Sequence, residues 1–216
     1  GEKISDNDQK RIEKFFRSKK KIKYTTRYKT NVTYKNAQYE YIDLILEKFN
    51  SKINSKLKIG IDLANGASHK ITKIILEKVN LNISIISDNP DGRNINLESG
   101  VENTLELKKL IKRKKLDLGI AIDGDADRVV FLDCNANPIK GDQIIQFLAK
   151  KILKKNLPLI TTIMTNNKIE DNLRSKKIEI IKTDVGDRNV YFKMLKTGSN
   201  FGGENSGHYI FKDFLK

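Results

Sequence analysis

The 216 residues include 42 lysines and arginines against 27 aspartates and glutamates, giving a net charge of +15, and 38% are hydrophobic. No run approaches the about 18 apolar residues of a transmembrane helix, so we expect no membrane span. The single cysteine, Cys134, excludes an internal disulfide and predicts a reducing compartment such as the cytoplasm.

The positive charge raises nucleic acid as a partner, because basic proteins attract the phosphate backbone. The lysines, however, are spread through nearly every predicted helix, and no nucleic-acid-binding motif accompanies them. We therefore do not expect specific nucleic-acid binding. Some of this charge could instead attract small acidic molecules.

The N-terminal segment predicts a helix with apolar positions Ile12, Phe15 and Phe16, capped by Asp6 or Asp8. The basic run 17–23 that follows is expected to be a solvated linker.

The next part of the chain alternates between helical and strand-like patterns. Helical spacing over 39–49 places Ile42, Ile45, Leu46 and Phe49 on one face. Strands are then predicted over 57–63 and 82–87, and helices over 68–78 and 105–111. The glycine turn at 64–67 could present backbone N–H groups to an anion, but a structural role is favoured.

The richest stretch lies between two apolar runs, 118–122 and 129–131. The residues between them, Asp123 to Arg128, read Asp-Gly-Asp-Ala-Asp-Arg and are called the acidic loop here. Three carboxylates crowded at the end of a buried strand repel one another unless a cation lies among them, and Mg²⁺ binds such oxygens. Asp123, Asp125 and Asp127 are therefore the predicted metal ligands.

Two other interpretations suit the acidic loop less well. An ordinary acidic turn between strands is common for one Asp-Gly pair, but less so for three aspartates and an arginine. An EF-hand is excluded, because its sixth residue would be Arg128 instead of glycine and its twelfth would be Cys134 instead of glutamate.

Alternation continues to the end of the chain. Helices are predicted from Gly141 to Ile152, after Asn167 and over 189–195, and strands over 159–164, 178–182 and 201–211. Strands alternating with helices throughout predict an α/β fold.

Polar side chains alternate near the C-terminus, in Gly203-Glu204-Asn205-Ser206-Gly207-His208. On an extended backbone Glu204, Ser206 and His208 share one face and could bind adjacent sugar hydroxyls. Taken alone, however, the segment favours a plain β-turn over a sugar-binding role.

A second polar group surrounds the turn at Gly186. Here Lys182, Asp187 and Arg188 come together in sequence, and Arg188 could bind phosphate with its planar guanidinium or simply pair with Asp187.

Three motifs carry a family resemblance: the acidic loop, Thr183-Asp184-Val185-Gly186-Asp187-Arg188, and Gly203 to His208. In this order they resemble the metal-binding loop, the intervening loop and the sugar-binding loop of the α-D-phosphohexomutases. The second and third are most similar to those of the bacterial phosphoglucosamine mutases in that family. Residues 203–208 are called the sugar loop below.

The resemblance implies two consecutive three-layer α/β/α domains with mixed sheets. Residues 1–24 are expected to be the tail of a first domain with its linker, 25–134 a metal-binding domain, and 135–216 a sugar-binding domain that is truncated. The Ala-Ser-His-Asn-Pro loop of the catalytic serine does not occur here: Ala67-Ser68-His69 is not followed by Asn-Pro, so Ser68 is read as a helix-start residue.

The implied activity is that of an isomerase. It interconverts glucosamine-6-phosphate and glucosamine-1-phosphate through a phosphoserine enzyme and a bisphosphate, in the route to UDP-N-acetylglucosamine and the cell wall. This chain would supply the Mg²⁺ and sugar loops only and be inactive alone, with the first and fourth domains as partners. The alternatives are a phosphomannomutase or phosphoglucomutase of the same fold, or a non-catalytic module binding sugar phosphate or nucleic acid.

By the same resemblance, Glu204 and Ser206 would contact sugar hydroxyls O3 and O4. His208 would transfer a proton or contact phosphate, unless it only packs beside the strand. Asp187 and Arg188 are candidate substrate contacts, and Arg128 would contact phosphate or neutralise the acidic loop.

Overall fold

Helices and strands alternate along the chain in the computed structural model, which describes residues 4–18, 36–48, 56–79 and 81–212. Two compact units are distinguished, Gly1–Ala37 and Gln38–Lys216. The helices are α1 Asp6–Arg17, α2 Ala37–Lys48, α3 His69–Lys78, α4 Leu105–Lys114, α5 Gly141–Ile152, α6 Asn167–Arg174 and α7 Asp187–Thr197. The strands are β1 Lys58–Asp62, β2 Asn82–Ile86, β3 Leu118–Ile122, β4 Val129–Leu132, β5 Pro138–Ile139, β6 Leu159–Thr162, β7 Ile180–Thr183, β8 Phe201–Gly203 and β9 Tyr209–Phe211.

Helix α1 begins one residue earlier than the predicted caps imply. Ser5 is the N-cap, its Oγ accepting from the Asp8 backbone N–H at 3.1 Å, so the prediction of Asp6 or Asp8 as cap was wrong. Both aspartates lie in the first turn, where their charge favours the helix dipole. The basic run predicted as a linker lies mostly in residues 19–23, outside the described residues.

The first sheet has the strand order β2-β1-β3-β4-β5. β1 pairs in parallel with β2 and β3, with Ile61 opposite both Ile85 and Ile120. β3–β4 and β4–β5 are antiparallel, so the sheet is mixed, as expected.

Helices cover both faces of this sheet. On one face, Ile59 and Ile61 of β1 pack with Leu76 of α3. On the other, Leu107 and Ile111 of α4 belong to a second apolar cluster. The alternation of side chains along a strand produces this division, and three layers result.

The second sheet has the order β7-β6-β8-β9, with β6 parallel to β7 and β8, and with β8 and β9 antiparallel. Leu159 and Phe201 pack with α5 and α6 on one face, whereas Ile160 packs with Val190 and Met194 of α7 on the other. The predicted pair of three-layer α/β/α arrangements with mixed sheets is therefore confirmed.

Three predicted boundaries near the candidate site differ from the structure. β6 stops at Thr162, leaving Ile163 and Met164 about 60% exposed, because the chain turns toward the α6 N-cap at Asn166. The predicted strand 201–211 is instead a hairpin of two short strands. Helix α7 begins at Asp187, two residues before the predicted start.

Helix α3 follows the glycine turn as predicted. Ser68 is its N-cap residue by position, although its side chain makes no capping hydrogen bond. Phe49 of the predicted α2 face lies outside the described residues, whereas Ile42 is fully buried. Among the described residues, no helix combines the length and apolar character needed to cross a bilayer.

Candidate metal and sugar site

The acidic loop joins antiparallel β3 and β4 and brings the three aspartates together. Carboxylate oxygens of Asp123, Asp125 and Asp127 all lie within 4.8 Å of one another. The Ala126 N–H donates to the Asp123 carbonyl at 3.1 Å, closing a turn in which Ala126 has φ +60°. Three converging hard oxygen donors fit Mg²⁺.

Packing behind the loop explains two glycines. A Cβ on Gly124 would lie 2.5 Å from the Ile95 side chain, and one on Gly66 would meet the Gly124 carbonyl oxygen. The Ala67 N–H donates to that same oxygen at 2.8 Å. The glycine turn before α3 therefore serves as a support for the acidic loop, which is the structural role favoured from the sequence.

Arg128 neutralises the most buried of the three acids. Its backbone N–H donates to Asp123 Oδ1 at 3.1 Å and its Nε donates to Asp123 Oδ2 at 2.8 Å. Burial disfavours the ionised form of Asp123, but the hydrogen bonds from Arg128 outweigh this effect and hold the pKa of the carboxyl below its ordinary value.

Glu102 is a residue that the sequence did not single out. Arg128 Nη1 donates to Glu102 Oε1 at 2.6 Å, and Glu102 lies in a loop 26 residues earlier in the chain. No local pattern marks Glu102, since it is one acid in the irregular segment before α4. Only the folded arrangement identifies it as the second carboxylate on the guanidinium.

Asp127 differs from Asp123 in its environment. Its side chain is about half exposed, against 4% for Asp123. Burial and the neighbouring Asp123 raise the pKa of Asp127, although its hydrogen bond to His208 opposes the rise. Mutual repulsion of this kind is what a bound cation relieves.

The sugar loop is the turn of the β8–β9 hairpin. The Glu204 N–H donates to the His208 carbonyl at 2.9 Å and the Gly207 N–H to the Glu204 carbonyl at 3.1 Å. The segment is therefore a turn, as its residues alone favour, and the prediction of an extended backbone through it was wrong. The three predicted side chains still converge. His208 Nδ1 lies 3.2 Å from Ser206 Oγ and 3.4 Å from Glu204 Oε2.

Glu204 is fixed by a second loop. Its side chain is 5% exposed, and Oε1 accepts the Gly186 backbone N–H at 2.8 Å. Gly186 has φ +124°, which favours glycine, and it immediately precedes α7. The two motifs on either side of α7 are therefore in direct contact.

The first residues of α7 include two of the predicted substrate contacts. Asp187 and Arg188 lie in its first turn, whereas the sequence placed them in a loop. The Arg188 guanidinium carbon lies 5.4 Å from the centre of the Phe192 ring. Lys182, grouped with them in sequence, forms an ion pair with Glu170 of α6.

The start of α5 packs closely against the sugar loop. A Cβ on Gly141 would collide with the Asn205 carbonyl oxygen, so the helix can approach this closely only with glycine there. Asn205 Nδ2 also donates to the Met164 carbonyl at 3.4 Å. The sequence did not indicate this support, because Gly141 reads as an ordinary helix start.

The two loops meet. His208 Nε2 lies 3.2 Å from Asp127 Oδ2, although 81 residues separate them. Beside this contact, the Val129 N–H donates to the Gly207 carbonyl at 3.1 Å. The candidate metal ligands and the candidate sugar contacts therefore form one continuous polar cluster.

Comparison with known proteins finds matches to both sheet-containing parts of the chain. Family models of the phosphoglucomutase/phosphomannomutase α/β/α domains II and III match residues 39–136 and 140–216, respectively. A phosphoglucosamine mutase from Campylobacter curvus is 36% identical over all of this chain and half of its own length. One from Thermodesulfovibrio yellowstonii is 41% identical over 83% of the chain and 41% of its own length.

The chain thus spans about half the length of the curated relatives that it matches. Among solved structures, a phosphoglucomutase/phosphomannomutase family protein from Burkholderia thailandensis superposes with a TM-score of 0.73 at 23% identity, covering 82% of this chain and 40% of its own. An Aspergillus fumigatus N-acetylphosphoglucosamine mutase, in complex with GlcNAc-6P and magnesium, superposes with a TM-score of 0.60 at 21% identity, over 82% and 41%. The fold, the two domain models and the sequence relatives agree, and the chain belongs to the phosphoglucomutase/phosphomannomutase family, the α-D-phosphohexomutases.

Proposed function

We propose that this chain supplies the metal and sugar loops of a phosphoglucosamine mutase, which interconverts glucosamine-6-phosphate and glucosamine-1-phosphate through a phosphoserine enzyme and a bisphosphate. The observation that carries the proposal is the contact of Asp127 in the acidic loop with His208 in the sugar loop. This contact joins the proposed cation site to the proposed sugar-binding loop. Relatives named phosphoglucosamine mutase, at 34–41% identity, support this sugar specificity.

The proposed metal is Mg²⁺, held by Asp123, Asp125 and Asp127. Bound Mg²⁺ would supply positive charge to phosphoryl oxygens during in-line transfer. The convergence of three carboxylates at the end of β3 supports this choice.

Glu204 and Ser206 are the proposed contacts to adjacent sugar hydroxyls. Both are hydrogen-bonding groups on a turn, and burial together with the Gly186 N–H holds Glu204 in one orientation. A carboxylate held in this way is pre-organised for its ligand. His208 beside them is the proposed proton-transfer or phosphate-contacting group.

Arg128, Asp187 and Arg188 complete the proposed set. The two hydrogen bonds from Arg128 to Asp123 support a role for Arg128 in neutralising the acidic loop. Contact of Arg128 with phosphate is its proposed catalytic role. The Gly186–Glu204 contact brings the start of α7 to the sugar loop, which supports Asp187 and Arg188 as substrate contacts.

We further propose domain boundaries near residues 24 and 134, with the serine loop contributed by a first domain and with a fourth domain completing the enzyme. The proposed compartment is the cytoplasm, which suits an exposed single thiol at Cys134. The second candidate is a phosphomannomutase or phosphoglucomutase, favoured by the name of the matching family model. Rates of the complete enzyme on glucosamine and mannose phosphates would distinguish the two.

The test combines metal binding with turnover. By titration calorimetry, Mg²⁺ should bind the parent chain, and Asp125→Asn should weaken this binding at least tenfold. The reason is that the loss of even an outer-shell partner of a metal lowers its affinity about tenfold. The exposed Asp171 of α6 provides a matched control, and Asp171→Asn should bind as the parent does.

In the same preparation, the chain should show no turnover of glucosamine-1-phosphate, with the Campylobacter curvus relative as the positive control. Equal Mg²⁺ affinity of Asp125→Asn and the parent would contradict the proposed metal site. Robust turnover by the 216 residues would overturn the proposed division of the catalytic groups.

A further inference from the structure

We infer that His208 is a positioning residue for the metal centre: it orients Asp127 from outside the coordination shell and so couples Mg²⁺ binding to the conformation of the sugar loop. This inference rests on the proposed metal site. It gives His208 a role toward this chain's own acidic loop, separate from any contact with substrate.

The ring of His208 is held on both sides. Nε2 lies 3.2 Å from Asp127 Oδ2, and Nδ1 lies 3.2 Å from Ser206 Oγ. When Nε2 carries a hydrogen it donates to the Asp127 carboxylate, while Nδ1 faces both the Ser206 hydroxyl and, at 3.4 Å, Glu204 Oε2. The side chain of His208 is only 19% exposed, which restricts its motion further.

Asp127, by contrast, is the ligand that needs orienting. Its side chain is 51% exposed, whereas Asp123 is clamped by two hydrogen bonds from Arg128. An exposed carboxylate without such a clamp has rotamer freedom to lose when it binds a cation, and that loss weakens binding. His208 contacts Oδ2 of Asp127, whereas Oδ1 lies 3.9 Å from Arg128 Nε. Oδ1 is therefore the oxygen that would hold the ion while the imidazole stays in place.

The backbone reinforces the same junction. The Val129 N–H donates to the Gly207 carbonyl at 3.1 Å, directly after the acidic loop. Gly207 has φ +105°, and a Cβ there would lie 2.6 Å from the Val129 carbonyl oxygen. The sugar loop is therefore seated against β4 at the point where the acidic loop ends.

A coupling of this kind is reciprocal. If His208 increases the affinity for Mg²⁺, then Mg²⁺ must stabilise the seated sugar loop by the same factor. Metal binding would thus stabilise the seated position of the sugar loop before a sugar arrives.

Two substitutions of His208 separate its two nitrogens. Glutamine places an amide N–H near the position of Nε2 and can still donate to Asp127, whereas asparagine reaches only as far as Nδ1. In Mg²⁺ titrations of the whole chain, His208→Asn should weaken binding about tenfold, the usual effect of losing an outer-shell partner. His208→Gln should remain within about threefold of the parent.

Hydrogen exchange at the Val129 amide gives an independent measurement. Mg²⁺ should slow this exchange in the parent and in His208→Gln, and have a much smaller effect in His208→Asn. Circular dichroism of each variant checks that it is folded.

The outcomes are distinguishable. If the parent binds no Mg²⁺, the proposed metal site fails and this inference with it. If the parent binds and His208→Asn binds equally well, only the positioning role is overturned. Equal weakening in both variants would also overturn it, because the effect would then not depend on the donor at Nε2.

Discussion

At the scale of single residues, Arg128 acts as an internal cation for the acidic loop. It pairs with Asp123, whose side chain is 4% exposed, and with Glu102, whose side chain is 73% exposed. A buried carboxylate without a partner is far more costly than an exposed one. The same guanidinium also lies 3.9 Å from Asp127 Oδ1. Its ion pairs with Asp123 and with Glu102 should therefore differ in their contribution to stability.

We predict that Arg128→Gln lowers the free energy of unfolding by about 2 kcal/mol, because Asp123 loses its charged donor while remaining buried. The measurement is urea denaturation in the presence of a chelator. Glu102→Gln is the matched control and should cost less than about 1 kcal/mol, as exposed pairs do. Equal losses in the two variants would contradict this account of Arg128.

At the scale of elements, α6 is tied to β7 by charge as well as by packing. Glu170 of α6 accepts from Lys182 of β7, and Arg174 Nη2 donates to Glu170 Oε1 at 2.7 Å. The hydrogen bond from Lys182, followed by that from Arg174, lowers the pKa of Glu170 below its ordinary value of 4.5.

A pH dependence follows from the direction of this shift. Because the folded-state pKa is below the unfolded one, the ionised Glu170 contributes stability above about pH 4.5, and this stability is lost as pH falls through the folded pKa. Glu170→Gln should be less stable than the parent at neutral pH, and the difference should shrink on acidification. Thermal melts from pH 7 to pH 3 measure it. A difference that stays constant with pH would show that Glu170 acts through packing alone.

At the scale of the whole molecule, the two sheets meet where the acidic loop touches the sugar loop. The hydrogen bonds Val129–Gly207 and Asp127–His208 connect β4 of the first sheet with the β8–β9 turn of the second. A ligand of one loop should therefore stabilise both sheets.

We predict that Mg²⁺ at about 100 times its dissociation constant raises the free energy of unfolding by about 2.7 kcal/mol. Hydrogen exchange should slow equally at Ile120 of β3 and Ile160 of β6, because both sheets respond together. At the same Mg²⁺ concentration Asp125→Asn, with at least tenfold weaker binding, should reduce the stabilisation to about 1.4 kcal/mol or less and weaken the effect at both positions. Slower exchange at Ile120 alone would show that the two sheets unfold independently.

Much of the fold follows from local patterns. The apolar run 118–122, the turn residues that follow and the second run from Val129 determine a strand, a loop and a strand, because each depends only on neighbouring residues. Boundaries that depend on other parts of the chain were less predictable. β6 ends at Thr162 instead of 164 because the chain must reach the α6 cap, and the segment after Gly203 turns because β9 pairs back on β8.

The sequence by itself determined the α/β alternation, the three carboxylates of the acidic loop and the family motifs, since composition and spacing along the chain carry these. Only the tertiary structure decided which groups meet: Glu102 with Arg128, Gly186 with Glu204, and His208 with Asp127. These pairs are 26, 18 and 81 residues apart, and no local periodicity relates their members. Their contacts arise from the packing of whole strands and helices, which brings distant loops to the same edge of two sheets.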